Sequence, residues 1–109
     1  MSDQEPFAER TYALFNRRRT IGVKSGHGGA TKAIHLDPAV AKMSERAAAQ
    51  EIMNLAQVGS QRGLLSLREE VEEAAEKAGT TVDPCVWDVL DDVPTHEQYE
   101  QLKRTKLGT

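Results

Sequence analysis

Two pairs of carboxylates have the spacing of a metal site. Glu70 and Glu73 stand three residues apart within Glu69-Glu70-Val71-Glu72-Glu73, and so do Asp88 and Asp91 within Asp88-Val89-Leu90-Asp91-Asp92. Residues three apart share a helix face, so two antiparallel helices carrying these pairs would bring four carboxylates to one Mg²⁺. The helix frame argues the other way. Leu64, Leu67, Val71, Ala74 and Ala78 recur at three and four residues, and Glu70 and Glu73 lie off most of that stripe, toward solvent. The expectation is a solvated charged face, with no catalytic residue, no metal ligand set and no cofactor.

The carboxylate layout resembles the all-helical nucleotide pyrophosphatases of the MazG type, whose motif is EExxE followed a short way on by ExxD. The resemblance covers residues 68–93, with Asp88 where that family has Glu. It implies a Mg-dependent pyrophosphatase with Glu70, Glu73, Asp88 and Asp91 as the metal-binding set. Other reactive types are scattered. His27, His35, His96 and Cys85 include no pair at zinc-ligand spacing. Gly26-His27-Gly28-Gly29-Ala30-Thr31-Lys32 has the glycines of a phosphate loop, but Lys32 precedes Ala33 rather than Ser or Thr, so it reads as a flexible linker. Cys85, the single cysteine, excludes an internal disulfide and is expected to be a small buried side chain at the start of a helix.

Positive charge gathers near the N-terminus. Residues 16–35 hold Arg17, Arg18, Arg19, Lys24 and Lys32, four glycines and no acid. Such a segment gains little from folding on itself and is expected to be an extended arm that orders on a partner, these five cations being its contacts. Ahead of it, Phe7, Thr11, Leu14 and Phe15 fit a short helix after Pro6, with Phe7, Leu14 and Phe15 as an apolar anchor. Lys32, Ile34 and Leu36 alternate before Asp37-Pro38, which resembles the strand and helix start of a ribbon-helix-helix dimer. That resemblance implies a nucleic-acid-binding regulator with paired strands in the major groove.

Helices must position the rest. Asp37-Pro38 and Asp83-Pro84 are start signals, because Asp accepts free backbone N–H groups and proline's missing donor is harmless in a first turn. One helix is expected over residues 38–58, broken by Gly59-Ser60-Gln61-Arg62-Gly63, and a second from Leu64 or Leu67 to Ala78, closed by Gly79. A short third carries Val86, Val89, Leu90 and Val93, and Thr95 with Gln98 opens a last one containing Tyr99 and Leu102. The expected fold is all-α: a small domain of three to four helices over residues 36–109, preceded over residues 1–35 by a short helix and the extended glycine-rich basic arm.

Charge divides along the chain. Residues 1–35 set Arg10, Arg17, Arg18, Arg19, Lys24 and Lys32 against Asp3, Glu5 and Glu9, a balance of +3, so the remainder holds −6 of the net −3. Residues 66–100 carry eleven acids against Arg68 and Lys77. A surface that coats nucleic acid uniformly is excluded. Aromatic residues make up 5% of the chain and the apolar inventory is mostly Ala, Leu and Val, so stability is expected to lean on oligomerisation. These readings converge on a non-enzymatic structural or adaptor protein that acts through protein–protein contacts in a homo- or hetero-oligomeric assembly. Its most concrete form is a bacteriophage virion component, where extended arms bind neighbouring subunits; nucleic acid is the alternative partner of the arm. No apolar run has membrane or signal-peptide length, so the expected location is the cytoplasm or a virion, with no membrane partner.

Overall fold

The computed structural model describes residues 10–108, and its N-terminal part is a sheet. Strands β1 (Thr11–Phe15), β2 (Ile21–Gly26) and β3 (Thr31–Leu36) form an antiparallel meander in that order. A 3-10 turn over Pro38–Lys42 leads into α1 (Glu45–Lys77), followed by α2 (Pro84–Val89) and α3 (His96–Leu107). The fold is therefore α+β, which corrects the all-α expectation. The supposed arm does have something to bury: Ile21, Val23 and Ser25 alternate on one face of β2, and α1 covers all three. Without an extended arm, the ground for a virion component is also lost.

Residues 11–15 are extended rather than helical. Tyr12 and Leu14 pair with Ser25 and Val23 and share their face toward α1, while Ala13 and Phe15 face away. Phe7, the first residue of the expected anchor, lies outside the described residues. Asn16 closes the β1–β2 hairpin with its side chain, its Oδ1 accepting from the Thr20 and Ile21 amides at 2.8 and 3.1 Å. The β2–β3 connection is a short turn, His27–Gly29, with Gly28 and Gly29 at φ of 78° and 91°, where a side chain would be strained.

The expected break at residues 59–63 does not occur. The helix runs through it, because Gly59 and Gly63 are where α1 meets the sheet and its turn. A methyl group at Gly63 would sit 2.7 Å from the Gly29 Cα and crowd the Gly26 carbonyl; at Gly59 it would collide with the Ser25 hydroxyl. The glycines are a packing surface, not a stop. At its start the helix is shorter than expected, since Asp37 caps only the 3-10 turn and Ser44 caps α1, accepting from the Ala47 amide at 3.1 Å.

The core is small and in two parts. Ile21, Val23 and Leu55 form one cluster and Val58, Leu65 and Tyr99 the other, with Leu14 and Leu107 packed against both. Leu65 is buried where the sequence stripe had Leu64 and Leu67, and beyond Ser66 no residue of α1 is buried. The last third of the helix thus projects from the core. Thr95 and Gln98 form the expected capping box of α3. That helix returns along α1 and buries Tyr99, whose phenol pKa is pushed up by desolvation.

A basic sheet and hairpin tip as the candidate functional site

Helix α1 covers one face of the sheet, and no other described helix covers the opposite one. Register and alternation put Ala13, Phe15, Gly22, Lys24, Ala33 and His35 on the face away from α1. The Phe15 ring lies across Gly22, where even a Cβ would come within 2.5 Å of the ring edge. The Arg19 guanidinium stacks on that ring at 4.6 Å, and His35 approaches its edge at 6.5 Å. Phe15 therefore braces the surface of its own sheet and offers no unoccupied ring face for a stacked base. It is only half-buried, and with Leu14 on the opposite face the two do not make one anchor.

The five candidate cations surround this face. Arg17, Arg18 and Arg19 occupy the β1–β2 turn, all exposed, with Arg19 in the left-handed region at φ 58°. Lys24 projects from the middle of β2, and the Lys32 side chain runs along Gly26 at the far end. Arg17, Arg18, Lys24 and Lys32 make no ion pair among the described residues. Sequence reasoning missed Lys106. The end of α3 returns to the hairpin tip, so Lys106 joins Arg17 and Arg18 around an open cavity of about 560 Å³ whose wall includes Asn16, Glu51 and Asn54. Asn16 Nδ2 holds Glu51 at 2.8 Å. Lys103, Arg104 and Lys106 follow one another closely in the sequence, but the position of Lys106 beside Arg17 depends on the return of α3.

The carboxylates are kept apart. Glu70 faces Arg10 at 3.9 Å and Glu73 pairs with Lys77 at 3.0 Å, one turn along the same helix. Glu69 pairs with Arg62 at 2.8 Å, and Glu72 lies 3.8 Å from the His96 imidazole. Helix α2 ends at Val89, so Asp91 lies past it and Asp88 and Asp91 share no helix face. No group of three or more metal-ligating side chains forms among the described residues. Helix α2 is tied to α1 through Arg68, which stacks on Trp87 at 3.9 Å and donates from Nε to the Pro94 carbonyl at 2.8 Å. Cys85 is exposed rather than buried: it sits in the first turn of α2, a short helix with no buried residue. Its thiol pKa is raised, chiefly by the Asp83 side chain, whose carboxyl also accepts from the Cys85 amide at 3.0 Å.

Strand β3 pairs with β2 of the same chain, and a bulge opposite Lys24 and Ser25 breaks the expected alternation at Lys32, so that only Ile34 and Leu36 keep it. Among the described residues its other edge is open, and Ile34 and Leu36, on the helix side of the sheet, remain half exposed because α1 crosses β1 and β2 and only grazes β3. No described helix is long and apolar enough to cross a membrane. Comparison with protein-family models, with curated proteins and with solved structures yields no match to this chain.

Proposed function

We propose that this is a non-enzymatic binding protein, a subunit that acts through protein–protein contacts, with the basic sheet face and hairpin tip as its contact surface and an acidic protein surface as what it holds. One observation carries this reading. From Thr11 to Leu36 there is no carboxylate, and among the described residues Arg17, Arg18, Lys24 and Lys32 are in no ion pair and border a sheet face that no helix covers. Each exposed ion pair contributes at most about 1 kcal/mol, so such a surface works by number and is weakened by salt. An acidic protein is favoured over nucleic acid because Phe15 lies between Gly22 and Arg19 and has no ring face left for a base.

Titration with an oligo-glutamate peptide and with duplex DNA tests this. Binding of the peptide at low ionic strength is expected, lost when Arg17, Arg18 and Arg19 are all replaced by Ala. Tight, salt-sensitive binding of the duplex in preference to the peptide would overturn it.

A further inference from the structure

Among the described residues, unpaired charges of opposite sign sit at opposite ends, although Glu69, Glu70, Glu72 and Glu73 of the acidic end have partners within the chain. The sheet and hairpin tip pack on the N-terminal and middle parts of α1, whereas the acids lie along its projecting last third and around α2. Glu76, Asp88, Asp91, Asp92, Glu97 and Glu100 make no ion pair among the described residues, just as Arg17, Arg18, Lys24 and Lys32 make none. The long axis extends 53 Å, several Debye lengths at physiological salt, so these two sets of unpaired charges are screened from one another. Three of the four exposed large apolar residues follow the same division: Ile34 and Leu36 are 50% and 51% exposed at the basic end, and Val89, among Asp88, Asp91 and Asp92, is 81% exposed at the acidic end, whereas the fourth, Met53, stands on the first part of α1.

Resting on the contact surface proposed above, we infer that its occupant is the acidic end of a second copy of this chain, so that copies join head to tail. The two surfaces differ, so the contact is heterologous and propagates as an open row or closes into a ring; it does not stop at a two-fold dimer. Its strength is limited. Three strands about 4.8 Å apart and roughly 20 Å long present about 300 Å², well below the roughly 800 Å² per partner of a stable interface. Association should therefore be reversible, concentration-dependent and salt-sensitive.

Sedimentation velocity of the full chain across concentration, at low and high ionic strength, tests the inference. The expected result is an average mass that rises above the 12.0 kDa of one chain at low salt and returns to it at high salt. A head variant, Arg17→Glu with Arg18→Glu and Lys24→Glu, and a tail variant, Asp88→Lys with Asp91→Lys and Asp92→Lys, should each stay monomeric. Mixed in equal amounts they should associate again, because each end then meets its complement. All six positions are exposed, and circular dichroism confirms that each variant is folded. A wild-type chain that stays monomeric at low salt, or a head variant that associates as the wild type does, overturns the inference. If that monomeric chain still binds oligo-glutamate through its arginines, the contact surface stands and only self-assembly is refuted.

Discussion

Replacing Gly63 by Ala puts two opposed effects on one methyl group. In an open helix Ala is favoured over Gly by about 1 kcal/mol. Here the methyl would meet backbone on the turn, with the Gly29 Cα at 2.7 Å and the Gly26 carbonyl closer still, and backbone cannot rotate out of the way. Overpacking of this kind costs about 1–3 kcal/mol and adds the loss of whatever contacts the displaced turn makes. The clash wins: Gly63→Ala should lower stability by about 2 kcal/mol, or Tm by about 10 °C. Gly59 differs because its obstacle is the Ser25 hydroxyl, while the Ser25 Cβ stands at a tolerable 3.4 Å. That hydroxyl is buried and finds no hydrogen-bond partner among the described residues, so Ser25→Ala alone should stabilise by about 1 kcal/mol. Gly59→Ala should destabilise alone and become favourable once Ser25 is Ala, with a coupling of at least about 1 kcal/mol in the double-mutant cycle. Urea unfolding followed by far-ultraviolet circular dichroism reads all four proteins, provided the m-value is unchanged. A Gly63→Ala protein more stable than wild type, or a strictly additive cycle between positions 25 and 59, would refute this account of the seam.

Arg68→Ala should release α2 from α1, shifting the Trp87 emission to longer wavelength while global stability falls by about 1–3 kcal/mol, since both the ring contact and the bond to the Pro94 carbonyl are lost; unchanged emission would contradict this. Asp83 holds the Cys85 thiol pKa above its ordinary value, so Asp83→Asn should speed alkylation by iodoacetamide at mildly alkaline pH, where wild type has the smaller thiolate fraction. The Asp83 carboxyl is itself lowered, first by the Cys85 amide, so its capping contribution is present above the unfolded carboxylate pKa of about 3.9 and is lost as pH falls below it. Protection of the Cys85 amide relative to its intrinsic exchange rate that does not fall in acid would count against that cap.

What was legible in the sequence was what short-range backbone chemistry decides. Asp83-Pro84 and the Thr95–Gln98 box start helices as expected, because the groups that satisfy each helix start lie within three residues of it. Strands β1 and β2 were not legible, and β3 was read only as a strand that would pair with another chain. In β2 the period of two is carried by Ile21, Val23 and Ser25 alone, and the residues that give it something to pack on, Leu55, Gly59 and Gly63, are more than thirty positions away. The same distance hides the role of the two glycines, which local propensity reads as a break. Arg17, Arg18 and Arg19 stood out as a basic triplet, but their placement at a hairpin tip depends on Asn16 folding back on Thr20 and Ile21. Lys106 joins them only because α3 returns along α1.

Because the final third of α1 projects beyond the core, the span of the molecule and the angular setting of its acidic end are set by a count of residues. Each residue added between Ser66 and Lys77 would move that end outward by about 1.5 Å and turn it by about 100° around the helix axis. One residue more therefore points the acids in a new direction at nearly the same reach. Seven more restore the direction to within about 20° and add roughly 10 Å. Changes in length along this stretch are thus not equivalent: those near a whole number of turns, about seven, eleven or eighteen residues, alter spacing alone, and the others alter phase.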